Sequence, residues 1–177
     1  MENENTLFEE TILPHLDAAY NLARWLTGNE PDARDMVQES FLRAFKFFGR
    51  FRGGDARSWL LTIVRNTVYT ALRQRRTRDY VLQSDDAIET FEDPAPSAGQ
   101  ILERAATIDT VRAAIAQLPV EFREVIVLRE MEDFSYKEIA DLVGVPIGTV
   151  MSRLARGRRQ LQTIILQGQE HPGGVAS

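Results

Sequence analysis

The chain has 177 residues, 44% of them hydrophobic, with no cysteine, two histidines and a formal net charge of −5. That is ordinary for a water-soluble protein of one large or two small domains, and it excludes disulfides and the usual nitrogen and sulfur ligands of zinc or iron. No cofactor or metal is expected, and without a run of about 18 apolar residues or a charged-then-apolar leader the sequence predicts a cytoplasmic protein with no membrane insertion.

Residues 6 to 27 carry Phe8, Ile12, Leu16, Ala19, Tyr20, Ala23 and Leu26 at three- and four-residue spacing, which predicts one core helix stopped by Gly28. Pro14 and His15 fall in its early turns, and the lone histidine is assigned no role. Pro31 and Asp32 open a second helix reaching about Phe48. Its buried stripe is Val37, Phe41, Ala44, Phe45 and Phe48, with Asp35, Gln38, Glu39, Leu42 and Lys46 opposite. On spacing alone, that acidic outer face fits plain solvation as well as it fits a partner.

GRFRGGDARSW, 49 to 59, predicts a loop. Its paired glycines are not a phosphate cradle, because no Gly-Lys-Ser/Thr follows and no strand precedes. Phe51 and Arg57 instead suit stacking and backbone contact with unpaired bases, while Trp59 fits the core equally well. From Ser58 to about Arg76 a helix is predicted with Leu60, Ile63, Val64, Val68, Ala71 and Leu72 inside. Outside lie Thr62, Arg65, Asn66, Tyr69, Arg73 and Arg76, a set that binds a strand's phosphates, base edges and base faces. Residues 49 to 80 hold eight arginines against two aspartates, a net of +6, so the negative total conceals a strongly basic segment.

Residues 81 to 100 lose helical period and gain acids, two prolines, serine and glycine, which predicts a flexible acidic linker. The chain thus divides into helical domains at about 1–80 and 101–177, the second ending in a frayed polar tail. Helical spacing resumes at Ile101, Leu102, Ala105, Ile108, Val111, Ile115 and Leu118 and stops at Pro119; Phe122, Val125, Ile126 and Met131 mark another helix.

Residues 134 to 161 then read as a helix-turn-helix. Ser135 caps a helix whose inner face is Tyr136, Ile139, Ala140 and Val143; Gly144 supplies a left-handed stop, and Pro146 presets the next helix. On that next helix Ile147, Val150, Leu154, Gly157 and Leu161 face in, and Thr149, Ser152, Ala155, Arg156 and Arg159 face out. Short side chains at the start and arginines after them suit entry into the DNA major groove; a packed hairpin with a solvated basic face is the plainer alternative.

The order and wording of these pieces resemble the extracytoplasmic-function (ECF) group of bacterial sigma factors over about residues 5 to 165. DARDMVQESFLRAFKFF (32–48) resembles the family's polymerase-binding helix, WLLTIVRNTVYTALRQRR (59–76) its promoter-opening helix, and residues 118–161 its upstream-element reader. The resemblance implies an all-α protein of two small domains that directs core RNA polymerase to promoters and has no catalytic residue. It implies contact with the polymerase clamp coiled coil through Asp35, Gln38, Glu39 and Leu42. It carries Phe51, Arg57, Thr62, Arg65, Asn66, Tyr69, Arg73 and Arg76 over to the melted minus-ten element of promoter DNA. It carries Thr149, Met151, Ser152, Arg153, Arg156, Arg158 and Arg159 over to the minus-thirty-five element. Met151 stands where some members have arginine or lysine; its side chain offers no strong hydrogen bond to a base there but can pack on a thymine methyl. An anti-sigma factor is a further implied partner. A receiver-linked regulator would need alternating strands, and a DNA-modifying enzyme convergent carboxylates or a nucleophile with its base; neither pattern is present.

Overall fold

A computed structural model describes residues 2–80 and 107–170, and within them the only regular structure is helical. The predicted linker at 81–100, the positions Ile101, Leu102 and Ala105, and the tail after Glu170 lie outside the described residues.

The first bundle comprises α1 (Glu2–Ile12), α2 (Leu16–Thr27), α3 (Glu30–Phe47) and α4 (Ala56–Tyr80). The single helix predicted over 6–27 is in fact two, separated by a 3-10 turn, Leu13–His15. Pro14 has no N–H to continue the helical ladder, and the break leaves Leu16 exposed while Leu22, absent from the predicted stripe, is fully buried. Gly28 ends α2 with φ 81 and donates its N–H to the Arg24 carbonyl at 3.0 Å. Asn29, one residue outside α3, caps it by accepting the Asp32 N–H at 2.9 Å. Phe45, predicted inside, is 53% exposed, although its ring meets Phe8 edge-on at 5.3 Å. A 3-10 turn (Phe48–Arg50) follows, and α4 begins two residues earlier than predicted. Asp55 accepts both the N–H of Ser58 at 3.2 Å and its hydroxyl at 2.7 Å, which satisfies the first turn.

The second bundle comprises α5 (Ile108–Ala116), α6 (Val120–Ile126, running into a π-helical turn Val127–Met131), α7 (Tyr136–Val143) and α8 (Ile147–Glu170). Ser135 accepts the Glu138 N–H and the Glu138 carboxylate accepts the Ser135 N–H, a reciprocal cap at the start of α7. Gly144 takes φ 78 at its end, as the helix-turn-helix reading requires. Val150, Leu154, Gly157 and Leu161 are buried as predicted; Ile147, in the first turn of α8, is instead exposed, as is Ile108 at the start of α5. Gly157 is where α8 crosses α6. A Cβ there would stand 2.8 Å from Ile126 Cδ1 and 3.2 Å from Phe122 Cβ, so any larger residue requires Ile126 to turn aside and the helices to give slightly.

The two bundles rest on each other, α2 against α6 and α4 against α7.

Candidate polymerase and nucleic-acid interfaces

Three surfaces hold the residues predicted to act. The first lies along α2 and α3. Asp35 and Gln38 are exposed there, Leu42 is 65% exposed, and Glu39 accepts from Arg43 one turn later at 2.6 Å. Beside them runs a groove lined by Leu16, Asp17, Tyr20, Arg34, Val37, Gln38 and Phe41. The sequence reading assigned Leu16 and Tyr20 to the core and left out Asp17. Tyr20 does pack against the core, half-buried, and also lines the groove; Leu16 is exposed, and the signal that could have placed it outside was Pro14, whose break turns the start of α2 outward. Exposed leucines among acids, on one side of a two-helix platform, suit a protein partner better than water.

The second surface is the outer face of α4 with the loop before it. Asn66, Arg73 and Arg76 are exposed. Phe51 is half-buried, its ring stacked 6.0 Å from Phe48 and tilted against Trp59 at 5.2 Å, so the loop aromatics form one cluster instead of projecting separately. Thr62 spends its hydroxyl on the Ser58 carbonyl at 2.7 Å. Arg57, predicted in the loop but in the first turn of α4, and Arg65 and Tyr69, predicted on its open face, instead meet the second bundle. Arg65 Nε donates to Glu124 Oε1 at 2.6 Å, and the Tyr69 hydroxyl donates to Glu124 Oε2 at 2.7 Å. The Arg65 guanidinium also lies 3.9 Å from the centre of the Tyr69 ring. Arg57 donates to the Glu132 carbonyl at 3.0 Å, stands 3.6 Å from its carboxylate, and covers the Phe134 ring at 4.2 Å.

Glu124 itself is fully buried, which sequence spacing gave no means of seeing. Burial pushes its carboxyl above the ordinary glutamate range, against the pull of Arg65 and Tyr69. Burial works against the Arg65 charge too, but the Glu124 hydrogen bond and charge outweigh it and hold the guanidinium protonated. Burial and the adjacent Glu124 carboxylate push the Tyr69 hydroxyl far above its usual range, so it stays a donor. Arg123 completes the contact, donating to the Trp25 carbonyl at 2.7 Å, while its buried Nε has no partner.

The third surface is the outer side of α8. Ser152, Arg156 and Arg159 are exposed, Thr149 and Arg153 are half-buried, and Met151 is 53% exposed. Arg158 bonds Glu130 at 2.8 Å, and that hydrogen bond raises its pKa, tying it to the π turn of the same bundle. Among the described residues no helix is long and apolar enough to cross a membrane, and no cluster of three or more acidic, histidine or cysteine side chains could hold a metal ion.

Comparison with known proteins divides the chain along the same lines. The family model for sigma-70 region 2 matches residues 11–78, and that for sigma-70 region 4 matches residues 108–161. The chain is 40% identical over 162 residues to the RNA polymerase sigma-H factor of Pseudomonas aeruginosa, covering 87% of this chain and 83% of that one. It is 38% identical over 156 residues to the ECF RNA polymerase sigma factor SigE of Mycolicibacterium smegmatis, where the match takes in 88% of this chain but only 60% of the relative. Among solved structures, the sigma factor RpoE in complex with the anti-sigma factor NepR, from Bartonella quintana, superposes with a TM-score of 0.70 at 27% identity, over 90% of this chain and 96% of that one.

Proposed function

The chain belongs to the ECF group of RNA polymerase sigma factors, and from that premise we propose how its three surfaces share the work of starting transcription. The α2–α3 platform with Asp35, Gln38, Glu39 and Leu42 docks on the clamp coiled coil of core polymerase, and the groove residues Leu16 and Tyr20 extend that contact. The α4 face engages the opened minus-ten strand: Arg57, Arg65, Arg73 and Arg76 meet phosphates, while Asn66, Tyr69 and Phe51 meet the edges and faces of unstacked bases. The start of α8 reads the minus-thirty-five element through Thr149, Met151 and Ser152, with Arg153, Arg156, Arg158 and Arg159 at the groove walls. The protein acts in the cytoplasm without a catalytic residue. It binds an anti-sigma factor, as the solved relative from Bartonella is seen to do in complex with NepR.

The observation that carries this reading is the helix-turn-helix. Its tight crossing at Gly157 seats the inner face of α8 and leaves Ser152, Arg156 and Arg159 outward. An acidic chain forfeits much of the attraction of DNA phosphates, so the polymerase must supply most of the affinity. Transcription in vitro from a pool of genomic promoters should therefore start at new sites only when core polymerase and this protein are both present; no new start site would refute the reading. Within that assay Asn66→Ala should form the closed complex but open it slowly, and a pre-melted template should restore its activity.

A further inference from the structure

Helical spacing placed Thr149 on the outward face of α8, but the structure turns a different patch to the surface at the start of that helix. Thr149 is half-buried, whereas Gly148, Met151, Ser152 and Ala155 are all exposed. Their spacing of i, i+3, i+4 and i+7 makes them immediate neighbours on the helix surface. Ile147, one turn before Met151 and 49% exposed, extends the methionine side. Together they form a shallow notch, with small residues at its ends, a thioether on one flank, a hydroxyl on the other and no charge among them. Nothing in the fold calls for glycine at 148. Its backbone is not left-handed, and a Cβ there would meet nothing within 4 Å, in contrast to Gly157. A glycine that packing does not need, in the first turn of a groove-entering helix, leaves room for a group that comes from outside.

We propose that this notch reads the C5-methyl group of a pyrimidine in the major groove, with Met151 as the specificity-determining residue. The proposal rests on the groove reading of α8 and goes beyond it by naming the chemical group that is read. The methyl is the one apolar feature that base edges show in the major groove, and thymine and 5-methylcytosine both carry it. An unbranched, polarizable thioether moulds itself to such a group. The Ser152 hydroxyl both donates and accepts, so it fits a thymine O4 and a cytosine amine equally. Hydrogen bonding at the notch therefore leaves the choice of base to the methyl, while Gly148 and Ala155 let the base edge come close to the helix.

The test uses the full chain with core polymerase, transcribing from duplex templates that carry a promoter the pair uses, with its minus-thirty-five region randomised. Template pools are compared that hold thymine or uracil, and cytosine or 5-methylcytosine, in that region. Burying one methyl is worth roughly a fourfold change in use, so at one position of the selected sequence the unaltered protein should favour the methylated template by that factor. Met151→Ala should use methylated and unmethylated templates alike while still selecting the flanking bases. A preference on both bases would assign the notch to the methyl whichever base carries it, and a preference confined to one base would assign it to that base. Equal use of methylated and unmethylated templates by the unaltered protein, or a preference that survives in Met151→Ala, would overturn the notch while leaving α8 as the groove helix. Selection of no sequence in that region would overturn the groove reading and the notch with it.

Discussion

The two basic faces of this protein, one on α4 and one on α8, are alike in sequence and differ in what the fold does with them. Both are arginine-rich stripes opposite an apolar stripe. On α8 the outward residues Ser152, Arg156 and Arg159 stay at the surface, and the ion pair of Arg158 with Glu130 on that helix is between partly exposed side chains. On α4 the outward residues Arg57, Arg65 and Tyr69 are drawn into a contact whose acid comes from 55 to 75 residues further along the chain. Exposed ion pairs contribute about 0–1 kcal/mol, whereas a buried pair resists the loss of one partner strongly. Substitution should therefore alter DNA readout on α8 and the contact between the bundles on α4.

The largest effect expected is that of Arg65→Ala, which leaves the fully buried Glu124 with the Tyr69 hydroxyl as hydrogen-bond donor and Arg153 as the remaining nearby positive charge. The contact between the bundles should weaken by about 3–5 kcal/mol at neutral pH, and urea unfolding of the free protein should show that loss up to the point at which the bundles part and Glu124 meets water. Burial raises the Glu124 carboxyl above the ordinary value of 4.5, and losing Arg65 raises it further, so the penalty of its charge builds as pH rises from that ordinary value toward the raised one. The deficit relative to the unaltered chain should accordingly shrink on acidification toward the ordinary value of 4.5. A deficit that is flat with pH would mean that Glu124 is not the group left unpaired.

Gly157→Val tests the other face by displacing α8 rather than stripping it. Its added carbons meet Ile126 and Phe122, and overpacking of this kind costs about 1–3 kcal/mol. The melting temperature should fall and promoter recognition with it, whereas a variant as stable as the parent would show that the crossing can relax.

Arg156→Ala should cost the fold no more than the roughly 0–1 kcal/mol of an exposed side-chain contact and weaken use of a cognate promoter by about 1–3 kcal/mol, read as the polymerase concentration needed for half-maximal transcription. Ser152 substitution should shift the preferred minus-thirty-five sequence instead. If both variants transcribe normally, α8 is not the groove helix.

The smallest effect concerns the start of α4. Asp55→Ala removes a cap worth about 1 kcal/mol. The Ser58 hydroxyl hydrogen bond holds the Asp55 carboxyl below the usual aspartate range, so the cap acts fully above that range and is lost as pH falls through the lowered value. The difference between Asp55→Ala and the parent should therefore vanish in acid, which thermal unfolding across pH can follow.

Sequence by itself determined what local rules govern. The spacing of Val150, Leu154, Gly157 and Leu161 defined the inner face of α8; Ser135 and Gly144 marked the ends of α7, because a cap and a left-handed stop are properties of a few adjacent residues. The arginine stripe of α4 was legible for the same reason, as was the two-part helical architecture that the sigma-70 region 2 and region 4 matches divide in the same order. Pro14 was visible too, but periodicity ran across it and hid the turn that brings Leu16 to the surface. What only the tertiary structure decided is which outward faces remain outward. Glu124 reads in sequence as an ordinary solvated glutamate in a short helix; its burial arises because α2 and α4 pack on α6 and α7, and no helical period encodes which face of one bundle another bundle will cover.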